Sequence, residues 1–294
     1  LGLMVETHML KPYKMRVQQT YDLLFSALDF TEGNSEKIKN LRTKAVQEIL
    51  KNKNYPISYT IDRENPTSLN FKGFEATYID SKVTSGKRLF YDTTKPFEKE
   101  IKYYNNFLPE KEVTIPKAYL LQQGWHKIID RLENNHIVFS RFKKDTIITV
   151  EVNHIKSYKT RKTAYEGHYL HYNTEVSKST KEVTFRTGDL YIPTNQNGVR
   201  YLIETLEAAA TDSFFNWNFF DTILQQKEGY SAYVFEDIAA EFLAKNPEIQ
   251  KIFDNKLKND ATFAKNSRAQ LDFIYQKTPH YEPAHLCLPV FKLF

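Results

Sequence analysis

Hydrophobic and polar positions change their rhythm three times along this chain. Residues 1–5, Leu-Gly-Leu-Met-Val, form a short apolar run, and Glu6 follows at once. Such a run reads as a strand buried on both faces of a parallel sheet. It has neither an initiator Met nor a basic leader, so it reads as a chain entered inside a sheet, which leaves compartment open. Lys11-Pro12 then leads into a helix with Val17, Tyr21, Leu24 and Leu28 on one face. A Pro at the first turn suits that start. A second helix is expected over residues 35–51, with Ile38, Leu41, Ala45 and Ile49 aligned.

From Tyr55 the rhythm becomes two-fold. Ile57-Ser58-Tyr59-Thr60-Ile61, Leu69-Asn70-Phe71 and Ala76-Thr77-Tyr78-Ile79 alternate, and Asp, Asn, Pro and Gly separate them. This pattern predicts strands. More are expected at residues 98–104, 118–121, 137–142, 146–152, 182–185 and 190–192, with one helix at 125–132. Past Gly198 the spacing turns helical again. Val199, Leu202, Ile203 and Leu206 share a face, and Asp212-Ser213 is placed to cap a helix carrying Phe215, Phe219 and Ile223. Another helix holds Val234, Ile238 and Phe242. Asn246-Pro247-Glu248 is a start signal for the next. A final helix over 261–276 precedes a Pro-containing tail. The expected class is α+β: residues 1–51 as the end of an α/β domain, 52–195 as a β-rich domain with one embedded helix, and 196–294 as a helical region packing on it.

Composition narrows the chemistry. Among 294 residues there are 9 Gly but 19 Tyr and 21 Phe. The glycines are so spaced that neither G-x-G-x-x-G nor G-x-S-x-G exists. Gly86-Lys87 has Ser81 where a phosphate loop needs its first glycine, and no H-E-x-x-H occurs. A single Cys287 excludes an internal disulfide. The net charge of +5 is uneven, with 20 basic and 13 acidic residues over 81–190. Those lysines are interleaved with acids, as in Lys95, Glu98, Lys99, Glu100 and Lys102, so the pattern is that of solvated strand faces and gives no nucleic-acid footprint. No apolar run approaches the roughly 18 residues of a membrane span.

Three groups of residues invite a functional reading. Glu6, a carboxylate closing a buried strand, would face the crevice where α/β sheets bind ligands, or else pair with His8, Lys11 or Arg16. His168 and His171, near Glu166, have metal-ligand spacing and would need His154 or another ligand to complete a site; ordinary loop residues have the same look. The aromatic run from Phe214 to Phe220 could line a sugar or apolar ligand, although burial in the core explains it more simply. His126, His136, His280 and His285 stand alone.

The segment Gly2-Leu3-Met4-Val5-Glu6-Thr7-His8-Met9-Leu10-Lys11-Pro12-Tyr13 resembles the last catalytic strand of the zinc carboxypeptidases, the carboxypeptidase A-like metallopeptidases. The nearer likeness is to long bacterial members of Bacteroidetes type that carry a C-terminal extension. Arg186-Thr187-Gly188-Asp189, Pro193-Thr194-Asn195-Gln196, Arg200-Tyr201, Glu204-Thr205-Leu206-Glu207, Asp212-Ser213-Phe214-Phe215-Asn216-Trp217-Asn218-Phe219-Phe220 and Tyr233-Val234-Phe235-Glu236 are similar to that extension. The resemblance implies a secreted or periplasmic peptidase acting on peptides. In it a zinc-activated water attacks the scissile carbonyl, and Glu6 moves the proton. It also implies that the zinc ligands, a His-x-x-Glu pair and a later His, lie upstream with the rest of the catalytic domain, since none of the eight His here matches them. This chain alone is therefore expected to be inactive. The alternative is a non-catalytic accessory or binding module.

Overall fold

The computed structural model describes residues 4–294. It is an α+β protein whose contacts divide it into two units, residues 1–53 with 115–294, and residues 54–114. The strand-rich stretch read from the sequence as one region is therefore shared between the two.

The first unit opens with two helices, α1 (Tyr13–Gly33) and α2 (Ser35–Lys51), at the positions the spacing predicts. Neither buries a single residue. Of the expected first strand, residues 1–3 lie outside the described residues. Met4 and Val5 belong to no strand, and Met4 is exposed.

The second unit holds two antiparallel pairs. β1 (Asn54–Ile61) pairs with β4 (Phe107–Thr114), and the long β2 (Thr67–Asp80) pairs with β3 (Lys87–Tyr103). The Phe71 and Phe97 rings meet over Gly73, 6.2 Å apart, and a Cβ there would fall 2.8 Å from both rings. Glycine at this place is what lets the two aromatics close over the backbone.

The rest of the first unit is built on a six-stranded antiparallel sheet. Its strands are β5 (Ala118–Leu121), β6 (Ser140–Arg141), β7 (Thr146–Thr160), β8 (His171–Phe185), β9 (Leu190–Pro193) and β10 (Cys287–Leu293), in the order β6-β9-β5-β10-β7-β8. The Pro-containing tail is thus a central strand. Pro289 falls where the β10–β7 register shifts between Cys287 and Phe291, the one kind of interior position where a missing N–H is tolerated. Helix α3 (His126–Asn134) lays Ile128, Ile129 and Leu132 on one face of the sheet. Helix α4 (Val199–Leu206) adds Val199, Leu202, Ile203 and Leu206 to the same core.

Residues 212–224 do not form the expected helix. They run as turns ending in a 3₁₀ segment, Asp221–Leu224. The reason is local competition by short polar side chains for backbone groups. Ser213 Oγ donates to the Ala208 carbonyl at 3.0 Å and Asn216 Nδ2 to the Ala210 carbonyl at 2.8 Å, while Asn218 adopts φ 65°. Four helices then follow. α5 (Ala232–Lys245) and α6 (Pro247–Asn259) flank Asn246, and the expected last helix is split into α7 (Ala261–Ala264) and α8 (Ser267–Tyr275). The break is capped, because Asn266 Oδ1 accepts from Ala269 N at 3.0 Å. Phe235, Ala239, Ile274 and Tyr275 form their small core.

Candidate functional site

Glu6 is exposed, in an irregular segment seven residues ahead of α1. None of its expected partners pairs with it. His8 Nδ1 accepts from Leu10 N at 3.2 Å, Lys11 Nζ donates to Gln19 Oε1 at 3.0 Å, and the Arg16 guanidinium lies over the Tyr13 ring at 5.7 Å. Among the described residues Glu6 has no ion pair. The structure thus leaves its carboxylate open to solvent.

His168 and His171 part company. His171 is buried where the β7–β8 hairpin end meets the 213–224 segment. Its Nδ1 lies 2.9 Å from Thr160 Oγ1 and its Nε2 3.0 Å from Asp221 Oδ1. With the proton on Nε2, the ring accepts from Thr160 and donates to Asp221, so both nitrogens are engaged. Tyr158 meets the ring edge-on at 4.7 Å and Phe215 covers it at 5.0 Å. Asn218 Nδ2, a donor like the protonated Nε2 beside it, donates instead to the Tyr169 carbonyl at 3.0 Å. The hydroxyl–imidazole–carboxylate order is that of a proton relay, but here the imidazole is the sealed member and Asp221 the wetter one. The arrangement pins the hairpin end to the turn segment. His168 instead stacks on Phe219 and stands edge-on to Trp217. His154 lies on β7, opposite Cys287 of β10.

No group of three or more His, Cys, Asp or Glu among the described residues is arranged to hold a metal ion. With both nitrogens of His171 engaged and His168 stacked on Phe219, these two residues do not form the metal site that their spacing suggests.

The aromatic run is chiefly core. Phe214, Phe215 and Phe220 are buried, and Trp217, Asn218 and Phe219 are part-exposed. The polar residues around the run are braces. Asp189, buried, accepts from Gln123 N at 2.9 Å and Arg186 N at 2.7 Å. Thr194 Oγ1 donates to the Pro116 carbonyl at 2.6 Å, and Asn216 Oδ1 accepts from Thr174 at 2.7 Å. Gly188 has φ 97°, and a Cβ there would fall 2.5 Å from Gln123, so the turn carrying Asp189 requires it.

One cluster was not signalled by the sequence. Lys292, 2% exposed, reaches Glu151 at 2.7 Å and Glu207 at 3.2 Å. Glu207 also accepts from the Tyr119 hydroxyl at 2.9 Å. Burial, reinforced by the Glu207 charge, raises the Tyr119 phenol well above its ordinary value. The only sign in the sequence is a lysine between Phe291 and Leu293 in an apolar tail.

Comparison of the chain with family profiles, curated proteins and solved structures finds no match.

Proposed function

We propose that this chain is the C-terminal portion of a bacterial zinc metallocarboxypeptidase, secreted or periplasmic, that removes C-terminal residues from peptides, with Glu6 as general base. The zinc ligands belong to residues ahead of this segment. The observation that carries the reading is α1. Tyr13, Val17, Tyr21, Leu24 and Leu28 line one side of it, Leu23 and Phe30 the opposite flank, and none is buried. A helix apolar on opposed sides belongs inside a larger core, and a single neighbour such as α2 covers at most one of them. Unsatisfied apolar surface of this kind marks an interaction face. Glu6 lies seven residues ahead of the start of this helix, so a partner that encloses α1 from its N-terminal end would also approach Glu6. An unpaired carboxylate there is able to take a proton from an attacking water and return it to the leaving amine. The motif residues at 186–216 brace the extension and supply no catalytic group.

The test compares the isolated chain with a longer product that includes the upstream His-x-x-Glu and His. The chain alone is expected to be inert and the longer product to release C-terminal residues. Glu6→Gln is expected to lower kcat by at least about 10²-fold, the scale of general-base catalysis, with zinc content unchanged. Full activity in Glu6→Gln would overturn the assignment.

A second reading, a non-catalytic binding module, rests on the exposed rings near Trp217. Tyr165 lies 6.3 Å and His168 5.5 Å from the indole, and Tyr165 and Tyr169 are exposed. Co-sedimentation with insoluble polysaccharide that is lost in Trp217→Ala would favour it.

A further inference from the structure

Strands β7, β8 and β10 border a cavity of about 310 Å³ that the proposed peptidase chemistry does not use. This size falls at the lower end of small-molecule sites, roughly 300–1,000 Å³. The pleat explains its lining. His154 and Val152 project from the same face of β7, as residues two apart on a strand do. Lys181 and Val183 share a face of β8, and Cys287 and Phe291 lie opposite His154 and Val152 on β10. The walls are mainly apolar, and Gln122, His154 and Lys181 are the polar groups among the lining residues.

No Asp or Glu lines this cavity. Lys181 has no carboxylate partner among the described residues, and no hydrogen bond holds the His154 ring. On the same hairpin, Lys178 pairs with Glu151 at 3.5 Å and Lys156 with Glu175 at 3.7 Å. Burial and the Lys181 charge push His154 below its ordinary value. Burial pushes the Cys287 thiol up, so it is a weak nucleophile and serves as part of the wall. Lys181 is exposed at the rim of the cavity and His154 is half-buried in its wall, so an ammonium and an imidazole without an anionic partner are both within reach of an anion that enters.

We propose that this cavity binds a small amphipathic carboxylate, its apolar body against Val152, Val183 and Phe291 and its charged end between Lys181 and His154. The same chemistry is presented by a free medium-chain acid and by the C-terminus of a peptide ending in an apolar residue.

The chain offers two reporters. Its single cysteine lies in the wall, and of its two tryptophans Trp125 borders the cavity while Trp217 does not. Octanoate and N-acetyl-phenylalanine are the two probes, octanamide the neutral control. Saturable slowing of Cys287 alkylation, with a matching change in Trp125 fluorescence in a Trp217→Phe background, is expected from at least one acid. Octanoate alone would indicate a free acid, and N-acetyl-phenylalanine alone a peptide terminus. Lys181→Gln is expected to weaken binding by roughly tenfold or more, the scale of a hydrogen bond to a charged group. Val183→Trp, which fills the space, is expected to abolish it. Absence of protection by either acid, equal protection by octanamide, or undiminished affinity in Lys181→Gln would overturn the proposal, and the wild-type arms need no variant to fold.

Discussion

Lys292 sits at the centre of the sheet with a carboxylate on each side, and the energetics of that position are asymmetric. Replacing the whole group with apolar residues would cost little, because the desolvation of the charges disappears with their attraction. Removing one member leaves the others buried and uncompensated. Lys292→Met is therefore expected to destabilise the first unit by about 3–5 kcal/mol, read as a fall in the urea midpoint. Tyr119→Phe loses only one hydrogen bond to Glu207 and is expected to cost less. At the surface, Asp145 receives Arg186 Nη1 at 2.6 Å and Thr187 N at 2.9 Å. The Arg186 contact, then the Thr187 amide, holds its carboxyl below the usual range. A depressed folded-state value means the stabilisation is complete above the unfolded carboxylate pKa and is lost as pH falls through the folded one. Asp145→Asn is expected to shrink the stability difference between neutral and acid pH, seen by comparing urea unfolding of the two proteins at both.

Among the elements, those with long periodic signals were legible and those set by distant partners were not. Residues 35–51 have an apolar stripe, an acidic first turn and a basic last turn, and α2 occupies those positions. β10 has four apolar residues around Pro289 and Lys292, and nothing local shows that it completes a sheet between β5 and β7. The expected helix after Asp212 failed because Ser213, Asn216 and Asn218 turn their side chains onto the backbone, a choice that periodicity does not encode. Asn216→Ala, which orphans the Thr174 hydroxyl and leaves the Ala210 carbonyl with the Ser213 amide alone, is expected to cost about 1–3 kcal/mol by urea unfolding. Of the candidate site, the helix that follows Glu6 was readable from Lys11-Pro12 and the spacing behind them, whereas the strand expected to end at Glu6 is not formed by Met4 and Val5. His171 was singled out by its spacing from His168, but its true partners, Thr160 and Asp221, lie 11 and 50 residues away in sequence. α1 makes a separate prediction. In the isolated chain its bare apolar sides are expected to drive concentration-dependent self-association in sedimentation velocity, and Leu24→Glu with Phe30→Glu to suppress it.

At the scale of the molecule, no helix among the described residues is long and apolar enough to cross a membrane. The order of the sheet ties residues near 118 to residues near 290, so the first unit is complete only when its last strand is in place. Removing residues 287–294 is expected to abolish its cooperative unfolding transition, followed by near-UV circular dichroism. The second unit is attached differently. Where it leaves the first, Ile115 N donates to the Lys53 carbonyl at 2.9 Å, so the chain departs and returns at a single hydrogen-bonded point. Both ends of the excursion are thereby fixed by the first unit itself. That geometry makes residues 54–114 a detachable graft: a short Gly-Ser bridge between 53 and 115 would span the gap with little loop-closure cost, and lineages could lengthen, trim or exchange the inserted strands without disturbing the strand order of the six-stranded sheet.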